Sequence, residues 1–496
     1  MSGGLYAACK TRGLLSLPWS RDYNCALKIS RCIMKTILSL LLLLPVLAFA
    51  QPAVLPGETA DETTDGTTDE TTSHSAKPPK NGGKAAGYSH LTDKATSHST
   101  RLSAEELLAG HPKDDNQVAG YNPASEKLLD GHPKDASQVI GYAAPQLAAK
   151  SYLLYDYTSN QILVNQNGDA RMEPASLTKL MTAYLAFDAL RHGTLSLEQK
   201  LNVPAAAVRN SGDESRMLLK AGQAVTVDEL LHGLVVQSGN DAAITLAVNI
   251  AGSEAGFVDM MNQEAKRLGM NNTHFTNPVG LSDAQHYSSA SDLAVLAAAI
   301  LRDYPQHYPL FSLRNYTFNN VAQANRNRLL WLDPYADGMK TGHTESAGYC
   351  LVGSAQRDNH RLISVMFGAD TDRLRATESQ KLLNFGFQYF DAVRLFQKDQ
   401  PVTQLRVWKG TESHLEVGFR QDLFLSIPKG TFAQLKAKME THQPILAPIT
   451  GGQQLGVLKL TLAGKPYAEF PLVALDSVPL ANVFLRGWDS IRLIFQ

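Results

Sequence analysis

Cysteine is scarce, with four in 496 residues: Cys9, Cys25, Cys32 and Cys350. No pair has the spacing of a zinc ligand set or a redox dithiol, so a disulfide-rich scaffold is excluded. Net charge is lacking too. The 46 Lys+Arg and 47 Asp+Glu leave −1, which gives no general pull toward nucleic acid or anionic lipid. Apolar content is not lacking. At 44% hydrophobic the chain can build sizeable cores, so a wholly disordered protein is excluded, and its length suggests two or three domains.

Met34-Lys35 opens a charged start, followed by Thr36-Ile37-Leu38-Ser39, leucines at 40–44 and Ala48-Phe49-Ala50. A charged start, a short apolar core and a small-x-small site read as a secretory signal over 34–50, too short to span a bilayer comfortably. Residues 1–33 precede that natural start and read as a mis-assigned extension. Cleavage after Ala50 would leave Cys350 as the one thiol, which suits an exported protein without disulfides.

Residues 51–143 read as a disordered tether, because Glu58, Asp61, Glu62 and Asp65 sit among threonines with few apolar neighbours. A two-copy repeat follows. Gly110-His111-Pro112-Lys113-Asp114 recurs as Gly131-His132-Pro133-Lys134-Asp135, too few copies for a solenoid. His111 and His132 read as spacer residues, since no Cys/His cluster surrounds them and no metal is expected.

Folded sequence is expected from about Ser151. The apolar runs 152–155 and 162–164 flank a polar turn and predict a hairpin. A helix is predicted from Pro174 to Arg191, with Leu180, Tyr184 and Phe187 on one stripe. Thr226 and Glu229 form a capping box, and helices are predicted over about 241–251 and 254–268. The runs 349–355 and 362–367 predict a second hairpin. Strands at both ends with helices between predict an α/β layer fold whose sheet joins N- and C-terminal strands. Short alternating strands from about 401 to 475 predict a separate small all-β domain, bounded at 399–477 against a first domain at 144–396.

Three motifs carry chemistry: Ser176-Leu177-Thr178-Lys179, Ser238-Gly239-Asn240 and Lys340-Thr341-Gly342. Singly each is weak. In this order they match the trio of class A β-lactamases and penicillin-binding proteins, with Gly in place of Asp in the middle. Ser176 and Lys179 share a helical face, so the amine can serve as base to the hydroxyl if burial and Lys340 keep it neutral. Ser238 can relay a proton to the leaving amine. Asn240 can bond both Lys179 and a substrate amide, and Lys340 can face a substrate carboxylate. A helix-start N–H and a second N–H near His343 can hold the oxyanion. Gly342 is read as letting the backbone approach the ligand.

From about Ser151 onward the chain resembles low-molecular-mass penicillin-binding proteins that act as serine-type D-alanyl-D-alanine carboxypeptidases of peptidase family S11. The resemblance rests on Pro174-Ala175 with the first motif, Gln237-Ser238-Gly239-Asn240-Asp241-Ala242, Asn271-Asn272-Thr273-His274-Phe275, Asn325-Arg326-Asn327 and Gly338-Met339-Lys340-Thr341-Gly342-His343-Thr344. It implies a penicillin-binding/β-lactamase-like α/β fold, an antiparallel sheet flanked by helices with a helical subdomain, followed by an added small all-β domain. It implies removal of the terminal D-Ala from peptidoglycan stem pentapeptides through an acyl-enzyme on Ser176, acylation by β-lactams, and no cofactor or metal. Lys179 is then proton acceptor and Ser238 the second hydroxyl, with Lys340, Asn240, Thr341, Gly342, His343 and Arg326 binding substrate. The family carries a terminal membrane anchor, which places the protein at the periplasmic face of the inner membrane.

A β-lactamase would need a carboxylate to activate water for deacylation, and the nearest candidate, Glu214, reads as solvated. A transpeptidase differs only in the acyl acceptor, and a silent peptidoglycan-binding protein would lack the nucleophile or base. Cys350 reads as a small buried hydrophobe. Phe484, Trp488, Ile491 and Phe495 fall on one helical face, so 480–496 reads as an amphipathic helix lying in a membrane interface.

Overall fold

The computed structural model describes residues 97–102, 136, 143–208 and 215–494. The signal segment, Cys9, Cys25, Cys32, His111, His132 and Glu214 lie outside these residues. Strand β1 (Ser97–Leu102) falls inside the stretch expected as a tether, and it pairs with the C-terminal domain described below.

Strands β2 (Ser151–Asp156) and β3 (Gln161–Gln166) form the expected first hairpin. Strands β4 (Ala336–Thr344), β5 (Gly348–Arg357) and β6 (His360–Ala369) join them in an antiparallel sheet of order β3-β2-β6-β5-β4. The first and last strands of this sheet in chain order therefore meet in its middle, as β2 pairs with β6. Strand β4, which carries Lys340-Thr341-Gly342, is left at the edge.

Both faces of this sheet are covered. All six residues of β2 are buried. Successive side chains of a strand point to opposite faces. Leu153 and Tyr155 join one core with helices α1 (Lys179–Arg191), α2 (Asn240–Ala251), α3 (Glu254–Arg267) and α4 (Ala290–Asp303). Tyr152 and Leu154 join the other with Leu382, Leu383 and Phe385 of α5 (Asp372–Tyr389). The stripe expected on α1 captures only part of its role. Ten of its residues, Lys179 among them, are buried, because α1 runs through the core rather than over it. Thr226 and Glu229 form the reciprocal capping box.

The second domain begins earlier than expected. Strand β7 (Phe390–Phe396) pairs with a strand of that domain, so the boundary falls before Phe390 rather than after 396. Strands β8 (Pro401–Trp408), β9 (His414–Gly418), β10 (Leu423–Pro428), β11 (Leu435–His442), β12 (Ile445–Leu446), β13 (Gln454–Leu462) and β14 (Lys465–Ala474) follow. A seven-stranded sheet runs β1-β11-β13-β14-β9-β8-β12, and β7 pairs with β10 in a separate ribbon.

The domains join through a buried polar knot. Asp156 accepts from Ser426 Oγ, lies 2.7 Å from His360 Nε2, and Gln161 Oε1 accepts from the Ser426 N–H at 2.5 Å. Tyr467 donates to the Ser426 carbonyl at 2.6 Å. Burial opposes charge on His360, but the Asp156 carboxylate outweighs it and holds the imidazole above its ordinary pKa.

Candidate active site

The first motif opens as a 3-10 turn, Ala175–Thr178, which runs into α1. The three-residue spacing predicts a shared face, and Lys179 Nζ indeed donates to Ser176 Oγ at 2.9 Å. Lys179 is 1% exposed, and its Nζ also donates to the Val279 carbonyl at 2.7 Å. Once Lys179 is neutral the same 2.9 Å contact can run the other way, the Ser176 hydroxyl donating to the amine lone pair, which is the geometry a general base needs.

The second motif follows a single π turn, Gly233–Gln237. Ser238 ends that turn with φ +60°, an uncommon conformation for a residue with a Cβ, and the Gly239 N–H bonds back to the Gly233 carbonyl at 3.0 Å. Such strain persists only where surrounding structure holds it. Here the backbone is tied on the far side as well, the Asn240 N–H donating to the Ser215 carbonyl at 2.8 Å, while Lys340 Nζ donates to Ser238 Oγ at 2.8 Å and to the Thr341 carbonyl at 2.9 Å. Lys340 is 3% exposed. Burial first, then the charge of Lys179, hold its pKa well below the ordinary lysine value. Repulsion is reciprocal, so a proton on one amine disfavours a proton on the other.

Ser176, Ser238, Asn240, Thr341, Gly342 and His343 line one cleft of about 670 Å³, so the structure brings the three motifs together. Arg326 lines it as well and is exposed. Gly342 also has a use within the fold. A Cβ there would lie 2.9 Å from the Pro174 carbonyl and 3.2 Å from the Ala175 Cβ, so the missing side chain makes room for the nucleophile turn. Cys350 is fully buried, and burial pushes its thiol up to about 11, so it is no second nucleophile.

Two contributors carry no sequence signal. Arg375 lines the cleft from α5, is ion-paired to Asp372 and donates to the Gly342 carbonyl at 2.9 Å. Only the sheet brings α5 to the third motif. His286 is 2% exposed beneath the nucleophile turn. Burial, against opposing pulls from Glu173 and Asp283, lowers its pKa to about 4. An unfolded histidine takes its proton near 6.5. The stabilisation is therefore complete above pH 6.5 and is lost as pH falls toward 4, to a total of about 3 kcal/mol. Urea unfolding at pH 7 and pH 4.5 should show this slope, and His286→Gln should flatten it. An unchanged slope in the variant would remove His286 as its source.

Residues 138–371 match the family model for D-alanyl-D-alanine carboxypeptidase, and residues 390–480 that for the penicillin-binding protein 5 C-terminal domain. The chain is 41% identical over 353 residues to the D-alanyl-D-alanine carboxypeptidase DacA of Haemophilus influenzae, covering 70% of this chain and 90% of that one. It is 40% identical over 359 residues to DacC of Escherichia coli K12, covering 71% and 90%. Among solved structures, penicillin binding protein 5 from Haemophilus influenzae matches with a TM-score of 0.66 at 40% identity, covering 68% of this chain and 99% of that one.

Proposed function

Because the chain belongs to the D-alanyl-D-alanine carboxypeptidase family, with a penicillin-binding protein 5 C-terminal domain, we propose that its serine carboxypeptidase chemistry runs through Ser176, Lys179, Ser238 and Lys340. The observation that carries this reading is the pair of hydrogen bonds Lys179–Ser176 at 2.9 Å and Lys340–Ser238 at 2.8 Å in one cleft. Ser176 Oγ adds to the carbonyl carbon of the penultimate D-Ala while its proton passes to neutral Lys179. The C–N bond breaks as Ser238 passes its proton to the leaving D-Ala amine and is refilled with the proton held by Lys179, so an ester on Ser176 and a neutral Lys179 remain. Water then adds to the ester and gives a proton to Lys179, that proton passes to Ser176 Oγ as the ester C–O bond breaks, and the shortened peptide leaves. Backbone N–H groups at the helix start and near His343 are the oxyanion donors in this reading. Asn240, Thr341 and Arg326 hold the peptide, with the Arg326 guanidinium suited to its terminal carboxylate. A β-lactam is an amide of the same reach and acylates Ser176 by the same step. Incubation with a stem pentapeptide should release one D-Ala per peptide with no cross-linked product. Cross-linked dimer in place of hydrolysis would make the enzyme a transpeptidase.

The chain acts, in this reading, as an exported protein seated at a membrane surface. Helix α6 (Val483–Ile494) supports it. None of its residues is buried, and Phe484 is 89%, Trp488 60% and Ile491 52% exposed on one face. On another side Asp489 accepts the Lys409 N–H at 2.6 Å, which roots the helix on the β domain. Among the described residues no helix is long and apolar enough to cross a membrane. An amphipathic helix of this kind lies in the interface, with its apolar face in the acyl boundary. Deleting 480–496 should move most of the protein from the membrane to the soluble fraction with D-Ala release intact. Full retention of the truncated chain at the membrane would refute α6 as the anchor.

A further inference from the structure

Ala175, the residue before the nucleophile, has φ +47°. Left-handed backbone is unfavourable for a residue with a Cβ and needs holding in place. Two neighbours close on its carbonyl oxygen. Thr178 Oγ1 donates to it at 2.8 Å. Gly280 packs so close that a Cβ there would lie 1.8 Å from it.

The hydroxyl of Thr178 has one hydrogen, and that hydrogen goes to Ala175. From any further partner it can only accept. That partner is His286, whose Nε2 lies 2.8 Å away and must carry the ring hydrogen. Nδ1 is then the acceptor, and it receives the Thr276 N–H at 3.0 Å. The tautomer thus follows from counting donors. Burial keeps the ring neutral down to about pH 4, so the arrangement persists above that pH.

The loop that holds His286 also holds the base. Asn277 Oδ1 accepts the N–H groups of Val279, Gly280 and Leu281 at 3.2, 2.7 and 3.0 Å. That clamp shapes the turn from which the Val279 carbonyl reaches Lys179 Nζ. Thr182, one turn along α1, donates to the Pro278 carbonyl at 2.7 Å. Nucleophile turn and base are therefore referenced to one loop, and His286 is the side chain that ties the loop to the nucleophile turn.

We propose that His286 is a positioning residue for acylation: its Nε2–H, through the Thr178 hydroxyl, holds the Ala175 peptide so that Ser176 Oγ meets both Lys179 and the scissile carbonyl. The inference rests on Ser176 as nucleophile and adds a device behind it. Misplacing a reacting atom by about 1 Å costs on the order of 10²-fold in rate.

The test uses the full chain and a fluorescent penicillin, with D-Ala release from a stem pentapeptide measured in parallel. His286→Ala and Thr178→Val should each slow acylation and kcat by about 10–100-fold at one label per chain, with KM unchanged. His286→Gln, whose amide can still donate to Thr178, should recover part of the rate. The double variant Thr178→Val/His286→Ala should be no slower than the slower single one, because both break the same chain of bonds. Additive losses would overturn the proposal. So would rates within about twofold of the parent, or a loss of label stoichiometry with the labelled fraction reacting at the parent rate, since each leaves His286 a folding role only. If His286→Ala does not fold, Thr178→Val carries the test alone. Ser176→Ala serves as the control. Labelling of that variant would refute the nucleophile itself, a result distinct from failure of the His286 variants.

Discussion

Ser176→Ala is expected to release no D-Ala and to take no label from a fluorescent penicillin, with activity lower by at least about 10⁴-fold. The substitution removes one oxygen, the atom that forms the ester. Nothing nearby replaces it. Ser238 Oγ is held by Lys340 Nζ at 2.8 Å, and Cys350 is fully buried with its thiol pushed up to about 11. The fold should survive, since Ser176 Oγ is only partly buried and accepts a single bond from Lys179. The measurement is label incorporation by mass together with thermal melting. A labelled Ser176→Ala chain would reassign the nucleophile.

Lys179→Arg is expected to be nearly as damaging, by about 10²–10⁴-fold in acylation. A general base must lose its own proton first, and a guanidinium does not at any working pH. Lysine can. With Lys340 held well below its ordinary pKa by burial and by the charge of Lys179, the two amines compete for charge in one closed site. The sign follows: acylation by the parent enzyme rises with pH as the base becomes neutral and levels off on the alkaline side. Stopped-flow acylation from about pH 5 to 10 reads this directly. A Lys179→Arg chain that kept most of the rate, or a parent rate flat across that range, would remove Lys179 as the base.

Much of this site is legible in the amino-acid sequence, for a reason that differs residue by residue. Ser176 and Lys179 are three apart, so helical geometry puts them on one face, where they meet at 2.9 Å. Thr226 and Glu229 are likewise a local pair, and their capping box is present as expected. The two hairpins follow from apolar runs around polar turns, and the layer architecture follows from strands at both ends of a helical stretch. Motif order then links Ser238 and Lys340 to the same cleft, although 102 residues separate them.

Other features depend on contacts that no local pattern encodes. Strand β7 belongs to the second domain because it pairs with β10, a partner found only once the chain has folded back. A Cβ on Gly342 would come within 2.9 Å of the Pro174 carbonyl, a contact between an edge strand and a turn far apart in the chain. Arg375 reaches the Gly342 carbonyl from α5, and the burial of His286 under Thr178 depends on a loop 108 residues from its partner. Periodicity and short-range spacing report forces within a few turns of chain, so they determine elements, caps and the Ser176–Lys179 pair. Burial, the direction of Lys340 and the hold on Ala175 arise from packing between distant segments, and only the tertiary structure decided them.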